Sequence, residues 1–120
     1  MRMPRRVLVV DDDDMVRRLV RTVLEADDYE VVEAPSGLEA LQLLEATTPA
    51  VVVLDVMMPG IDGLETCRRL DHSAVKVVML TARDDPSLET ACREAGADAF
   101  LTKPFSSIRL LDVIEELVAA

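Results

Sequence analysis

Five short apolar runs, each followed by a stretch with helical periodicity, leave a 120-residue chain few ways to fold. The runs cover residues 7–10, 29–34, 50–54, 75–80 and 99–102, and the first four are rich in valine. The third, Ala50-Val51-Val52-Val53-Leu54, holds no polar side chain and lies between Pro49 and the pair Pro59-Gly60. A run of that kind fits a parallel strand covered on both faces, because a half-exposed strand would alternate. Asp55 follows it directly, so a buried strand delivers a single carboxylate at its end.

The helical stretches are marked as clearly. Over residues 15–26 Val16, Leu19, Val20, Val23 and Leu24 recur at helical spacing, and Arg17, Arg18 and Arg21 take the wet face. Asp13 and Asp14 read as capping and solvated charges at its start. Ser36 with Glu39 three residues later forms a capping box for a helix over 37–46, in which Leu38, Leu41 and Leu44 should face inward. A short helix at 64–70 turns Leu64, Cys67 and Leu70 to the core, and His72 in the loop after it should be exposed and inert. Asp85 followed by Pro86 opens another helix, which Gly96 stops. Ser106 or Ser107 caps the last, which carries Ile108, Leu111, Ile114, Leu117 and Val118.

Strands alternating with helices over connections of a few residues predict an α/β fold with a five-stranded parallel sheet, helices on both faces and right-handed crossovers. No linker or repeat interrupts the pattern, so one domain should fill residues 1–120. With only Tyr29, Phe100 and Phe105 aromatic, the core must be aliphatic. A net charge of -10 argues against direct binding of nucleic acid or an anionic membrane surface, and favours a basic partner or a bound cation. Cys67 and Cys92 lack metal-ligand spacing and read as small buried hydrophobes in a reducing compartment. Arg2, Arg5 and Arg6 imitate the start of a signal peptide, but the short run after them ends in four aspartates. The expected location is cytoplasmic. The end at Ala119-Ala120 suits either a stand-alone domain or one cut from a longer protein.

In a parallel sheet the carboxyl ends of the strands share one edge, where ligands bind. Asp11 and Asp12 stand at that end of the first strand, Asp55 of the third, Thr81 of the fourth and Lys103 of the fifth. Two unit charges ~4 Å apart repel by about 4 kcal/mol at an effective dielectric of ~20, so three clustered carboxylates call for a cation. Mg²⁺ fits best, since it takes hard oxygen ligands and keeps several waters; Mn²⁺ would suit the same oxygens. Lys103 supplies a second positive charge for a carboxylate or phosphoryl oxygen. The set suits an aspartate that attacks phosphorus, a reaction that needs positioning and charge neutralisation more than acid-base chemistry.

Over essentially its whole length the chain resembles the receiver domain of two-component response regulators. The resemblance rests on Val9-Val10-Asp11-Asp12, the run Asp55 to Gly63, Leu80-Thr81-Ala82-Arg83, Ala95-Gly96-Ala97-Asp98 and Lys103-Pro104-Phe105. It implies the doubly wound, flavodoxin-like strand order 2-1-3-4-5, for which a chemotaxis member of the family is a standard example. It also implies that Asp55 accepts a phosphoryl group from a histidine of a sensor kinase or a histidine phosphotransfer protein. Asp12, Asp55 and the main-chain carbonyl of Met57 would then hold Mg²⁺, with Asp11 acting through water. Lys103 would pair with Asp55, and Thr81 and Phe100 would form the switch. Ala82 would leave room above the site, and Lys103-Pro104 would be cis. Such a protein would catalyse its own phosphorylation without turning over free substrate. It would pass the signal to an effector or an attached output domain, and a phosphorylation-dependent dimer is compatible with it.

Two departures from the family pattern bear on this. The side chains two beyond Asp55 and Thr81 are Met57 and Arg83, neither suited to orienting a water, which implies slow loss of the phosphoryl group. Val113 and Arg109 stand where receivers joined to winged-helix domains often carry arginine and glutamate in a charged dimer face, so that mode of pairing is not expected. Rival readings are weaker. A haloacid dehalogenase-type phosphatase would need Thr or Val where Asp14 stands, and a longer chain. A binding-only module would not need every site residue. A flavin protein would need a phosphate loop where four acids lie.

Overall fold

The structure is a computed structural model that describes residues 5–119; Arg2 and Ala120 lie outside the described residues. Its elements alternate as β1 (Arg6–Val10), α1 (Asp14–Ala26), β2 (Glu30–Ala34), α2 (Gly37–Ala46), β3 (Val51–Asp55), α3 (Gly63–Arg68), β4 (Lys76–Thr81), α4 (Pro86–Glu94), β5 (Ala99–Thr102) and α5 (Ser107–Ala119). All strand pairs are parallel, in the order β2-β1-β3-β4-β5. This is the parallel α/β sheet that the alternation predicts, in the doubly wound order that the resemblance implies, with the chain reversing its direction of winding between β1 and β3.

Alternation along the strands sorts the core into two layers. Leu8, Val10, Val52, Leu54, Val77 and Met79 face α2, α3 and α4, whereas Val7, Val9, Val51, Val53, Val78 and Leu80 face α1 and α5. Every residue of β3 is buried, as expected of a central parallel strand. Helix starts are held by short polar side chains. Asp13 accepts from the N–H groups of Met15 and Val16, Ser36 from Glu39, Asp62 from Glu65 and Asp85 from Ser87 and Leu88, while Pro86 opens α4. Ser106 Oγ accepts from the Arg109 N–H at the start of α5.

Several side chains depart from their sequence expectation. Leu19, Leu38 and Ile108 are exposed, the last to 74 %, although each falls at apolar spacing. A stripe counted at three- and four-residue steps is wider than the contact a short helix makes with the sheet, and in α2 Gly37 and Ala40 approach closest. Asp55 and Thr81 close β3 and β4 rather than follow them, and α3 begins at Gly63. A Cβ on Gly63 would lie 2.2 Å from the Asp55 carbonyl oxygen, so only glycine lets α3 start against the end of β3. His72 is half-buried rather than free. Its Nε2 lies 2.7 Å from the Cys67 carbonyl, which can only accept, so Nε2 carries the proton, and its ring packs on Gly96. Cys67 and Cys92 are free and buried; burial pushes the Cys67 thiol up to about 11 and raises that of Cys92. These are inert core thiols.

Candidate functional site

The middle of the sheet order brings the acidic residues together. β1 and β3 are neighbours, with Val10 opposite Leu54, so the residues that follow, Asp11 and Asp55, emerge side by side. Carboxylate oxygens of Asp11, Asp12 and Asp55 all lie within 4.8 Å of one another. Asp11 and Asp55 are 1 % and 5 % exposed, while Asp12 is exposed. Asp11 is fixed on three sides: its N–H donates to the Ala34 carbonyl, one carboxylate oxygen accepts from the Asp13 N–H at 2.9 Å, and the other faces Lys103.

Lys103 lies between the two buried carboxylates, its Nζ 3.1 Å from Asp11 Oδ2 and 3.4 Å from Asp55 Oδ1. Sequence reasoning paired it with Asp55; Asp11 is the nearer partner. Burial alone would lower the Lys103 ammonium, but hydrogen bonds and charge from Asp11 and Asp55 outweigh it and raise it. Burial and the neighbouring Asp11 charge push Asp55 up to about 6, against the opposing pull of Lys103 and the Met57 N–H, which donates to the carboxylate. The Lys103-Pro104 bond is cis, as the resemblance implies.

The strand ends are stitched to one another. The Val56 N–H donates to the Leu80 carbonyl, joining the end of β3 to β4, and the Lys103 N–H donates to the Thr81 carbonyl at 2.6 Å, joining β4 to β5. Thr81 is buried and its Oγ accepts the Arg83 N–H at 3.1 Å. By strand alternation Asp55 and Lys103 continue the series facing α1 and α5, whereas Thr81 continues the series facing α3 and α4, together with Phe100, which pairs with Met79. Thr81 and Phe100 therefore share one sheet face. Met57 lies in the loop ahead of α3 with its side chain 58 % exposed, and Ala82 is exposed. Oxygen-only donors at this spacing suit a hard divalent cation, with Asp12 open to solvent and able to take it up.

The model of the response regulator receiver domain family matches residues 7–115. The chain belongs to this family. Among curated relatives, the response regulator MprA of Mycobacterium sp. (strain KMS) is 49 % identical over 111 residues, covering 91 % of this chain and 48 % of the relative. The receiver chain thus spans about half the length of the curated relatives it matches. Among solved structures, a Chloroflexus aurantiacus J-10-fl chain assigned as a response regulator is 38 % identical with a TM-score of 0.92, covering 98 % of this receiver and all of that chain. The BeF3-activated DrrB receiver domain is 32 % identical with a TM-score of 0.90, covering 98 % of this receiver and all of that chain.

One contributor to the edge has no signal in the sequence. Arg17, assigned to solvent by periodicity, donates to the Asp11 carbonyl across the start of α1. Asp98, part of the family motif, works at the far edge of the sheet, where its carboxylate accepts the Val77 N–H at 2.8 Å.

Proposed function

We propose that residues 1–120 form one cytoplasmic receiver domain in which Asp55 accepts a phosphoryl group from the histidine of a sensor kinase or phosphotransfer protein. The observation that carries this reading is the Asp55 carboxylate at the end of the central strand, beside two acids and the Lys103 ammonium. In the transfer, an Asp55 oxygen forms the bond to phosphorus as the histidine N–P bond breaks, and the leaving imidazole takes up a proton. With its carboxylate at about 6 even against the pull of Lys103, Asp55 is mostly ionised at neutral pH, the form that attacks phosphorus.

Asp12, Asp55 and the Met57 carbonyl would hold Mg²⁺, with Asp11 acting through water; Mn²⁺ would fit the same donors. The cation, when bound, neutralises charge on the carboxylates and the phosphoryl oxygens. Lys103 would hold a phosphoryl oxygen from the opposite side. Thr81 would then turn its hydroxyl to the phosphoryl group and Phe100 would follow it inward, changing the surface around α4 and β5 that a downstream effector or output domain reads. Either outcome, partner binding or a phosphorylation-dependent dimer, would use that surface, and direct contact with nucleic acid or membrane is not expected of so acidic a domain. The BeF3-activated DrrB relative supports the same use of a phosphoryl mimic here. Met15 at the start of α1, Leu19 one turn further on and Ile108 at the start of α5 are exposed on two helices that pack together, and a partner presenting its histidine would bury them.

Incubation with acetyl phosphate and Mg²⁺ is expected to add one phosphate to the mass, an increase lost with EDTA or in Asp55→Asn. No increase in the parent protein would replace this reading with binding alone. With Met57 and Arg83 unable to orient a water, the adduct should persist for minutes, and its loss within seconds would refute the slow hydrolysis.

A further inference from the structure

Arg17 stands one turn into α1, yet its side chain is only 12 % exposed. All three guanidinium nitrogens are engaged. Nη1 donates to the main-chain carbonyl of Asp11 at 2.6 Å, Nε to Glu33 Oε1 at 3.2 Å, and Nη2 pairs with Asp14. Glu33, near the end of β2, is held in turn by Arg21 Nη1 at 2.6 Å, and Arg21 also pairs with Glu25. Burial would lower the Arg17 guanidinium, but Asp14 and Glu33 more than offset it, so the fork stays charged.

The Asp11 carbonyl and the Asp12 N–H belong to one rigid peptide plane. Fixing the carbonyl fixes the plane from which the Asp12 side chain departs. Asp12 needs such support, because it is exposed and, among the described residues, no side-chain hydrogen bond holds it. The Asp11 N–H is already tied to β2 through Ala34, so Arg17 and Glu33 complete an anchor on both sides of residue 11. A lysine could reach one of these partners; the planar fork reaches three at once.

We propose that Arg17 is the positioning residue of the metal site, clamping the Asp11 carbonyl against Glu33 so that the Asp12 carboxylate meets those of Asp11 and Asp55. The inference rests on the Mg²⁺ reading given above. Groups that orient metal ligands without touching the metal typically change affinity by about 10- to 100-fold when removed.

The test measures Mg²⁺ binding by calorimetry, the Mg²⁺ concentration that half-saturates phosphorylation by acetyl phosphate, and the melting temperature in EDTA. Arg17→Met, which keeps an apolar stem and removes the donors, is expected to raise both Mg²⁺ constants about ten-fold while largely keeping the rate at saturating Mg²⁺. Arg17→Lys should recover part of the loss, and Glu33→Gln should show a smaller rise. A folded Arg17→Met with parental Mg²⁺ constants, or one that loses rate with unchanged Mg²⁺ dependence, would overturn the proposal. If that variant does not fold, parental Mg²⁺ constants in both Arg17→Lys and Glu33→Gln would do the same. Absence of Mg²⁺ binding in the parent would overturn the metal reading first, a result distinct from any difference among variants.

Discussion

Asp55 binds its proton more tightly in the folded chain than in water, because burial withholds solvent from its charged form and Asp11 stands beside it. Its folded pKa of about 6 exceeds that of an unfolded aspartate, so the proton favours folding. The stability this group contributes is full below about pH 4 and is lost as pH rises through about 6. In EDTA at pH 7.5, Asp55→Asn is therefore expected to be more stable than the parent by on the order of 2 kcal/mol, the gap closing toward pH 4. Urea melts across that range measure it, and a gap independent of pH would contradict the burial argument. Divalent cation should reverse the order, since it binds the ionised carboxylate that asparagine lacks.

Among the elements, α3 is the one whose placement decides the site. It begins against the end of β3, with the Gly63 N–H donating to the Val56 carbonyl at 2.9 Å, and its first residue leaves no room for a side chain. Gly63→Ala must push the Asp55 backbone aside, and a loss of roughly 2 kcal/mol in denaturant unfolding is expected, together with slower phosphorylation. Gly60→Ala is a useful contrast. Gly60 has φ of 78° but nothing within 4 Å of an added Cβ, so it should lose only about 1 kcal/mol and keep the rate. Equal effects on phosphorylation would show that the α3 contact does not hold Asp55.

For the molecule as a whole, the sheet puts the two pairs of residues on opposite faces. Asp55 and Lys103 face the layer of α1 and α5, while Thr81 and Phe100 face the layer of α3 and α4, so under the proposed function a signal would have to cross the sheet edge. Thr81→Ala is expected to keep phosphorylation by acetyl phosphate but to shrink the NMR shift changes of α4 and β5 caused by BeF3. Shift changes as large as those of the parent would refute the coupling. The Lys103 N–H bond to the Thr81 carbonyl gives the two sides a shared backbone, which the side-chain substitution leaves intact.

What the sequence determined by itself is local and periodic. Valine runs, capping aspartates and serines, Pro86 and the glycines specify five strands and five helices to within a residue or two, and alternation over short connections makes the sheet parallel. The residues at the strand ends, Asp11, Asp12, Asp55, Thr81 and Lys103, follow from that pattern, because parallel strands share one carboxyl edge. Tertiary structure decided what distance and burial control. Periodicity alone left Leu19, Leu38 and Ile108 pointing inward and Arg17 outward, but how far each helix leans on the sheet depends on small residues such as Gly37 and Ala40 elsewhere in the layer. The pairing of Lys103 with Asp11 as well as Asp55 likewise needs coordinates, since the strand order and its register, not the spacing along the chain, put β1 beside β3.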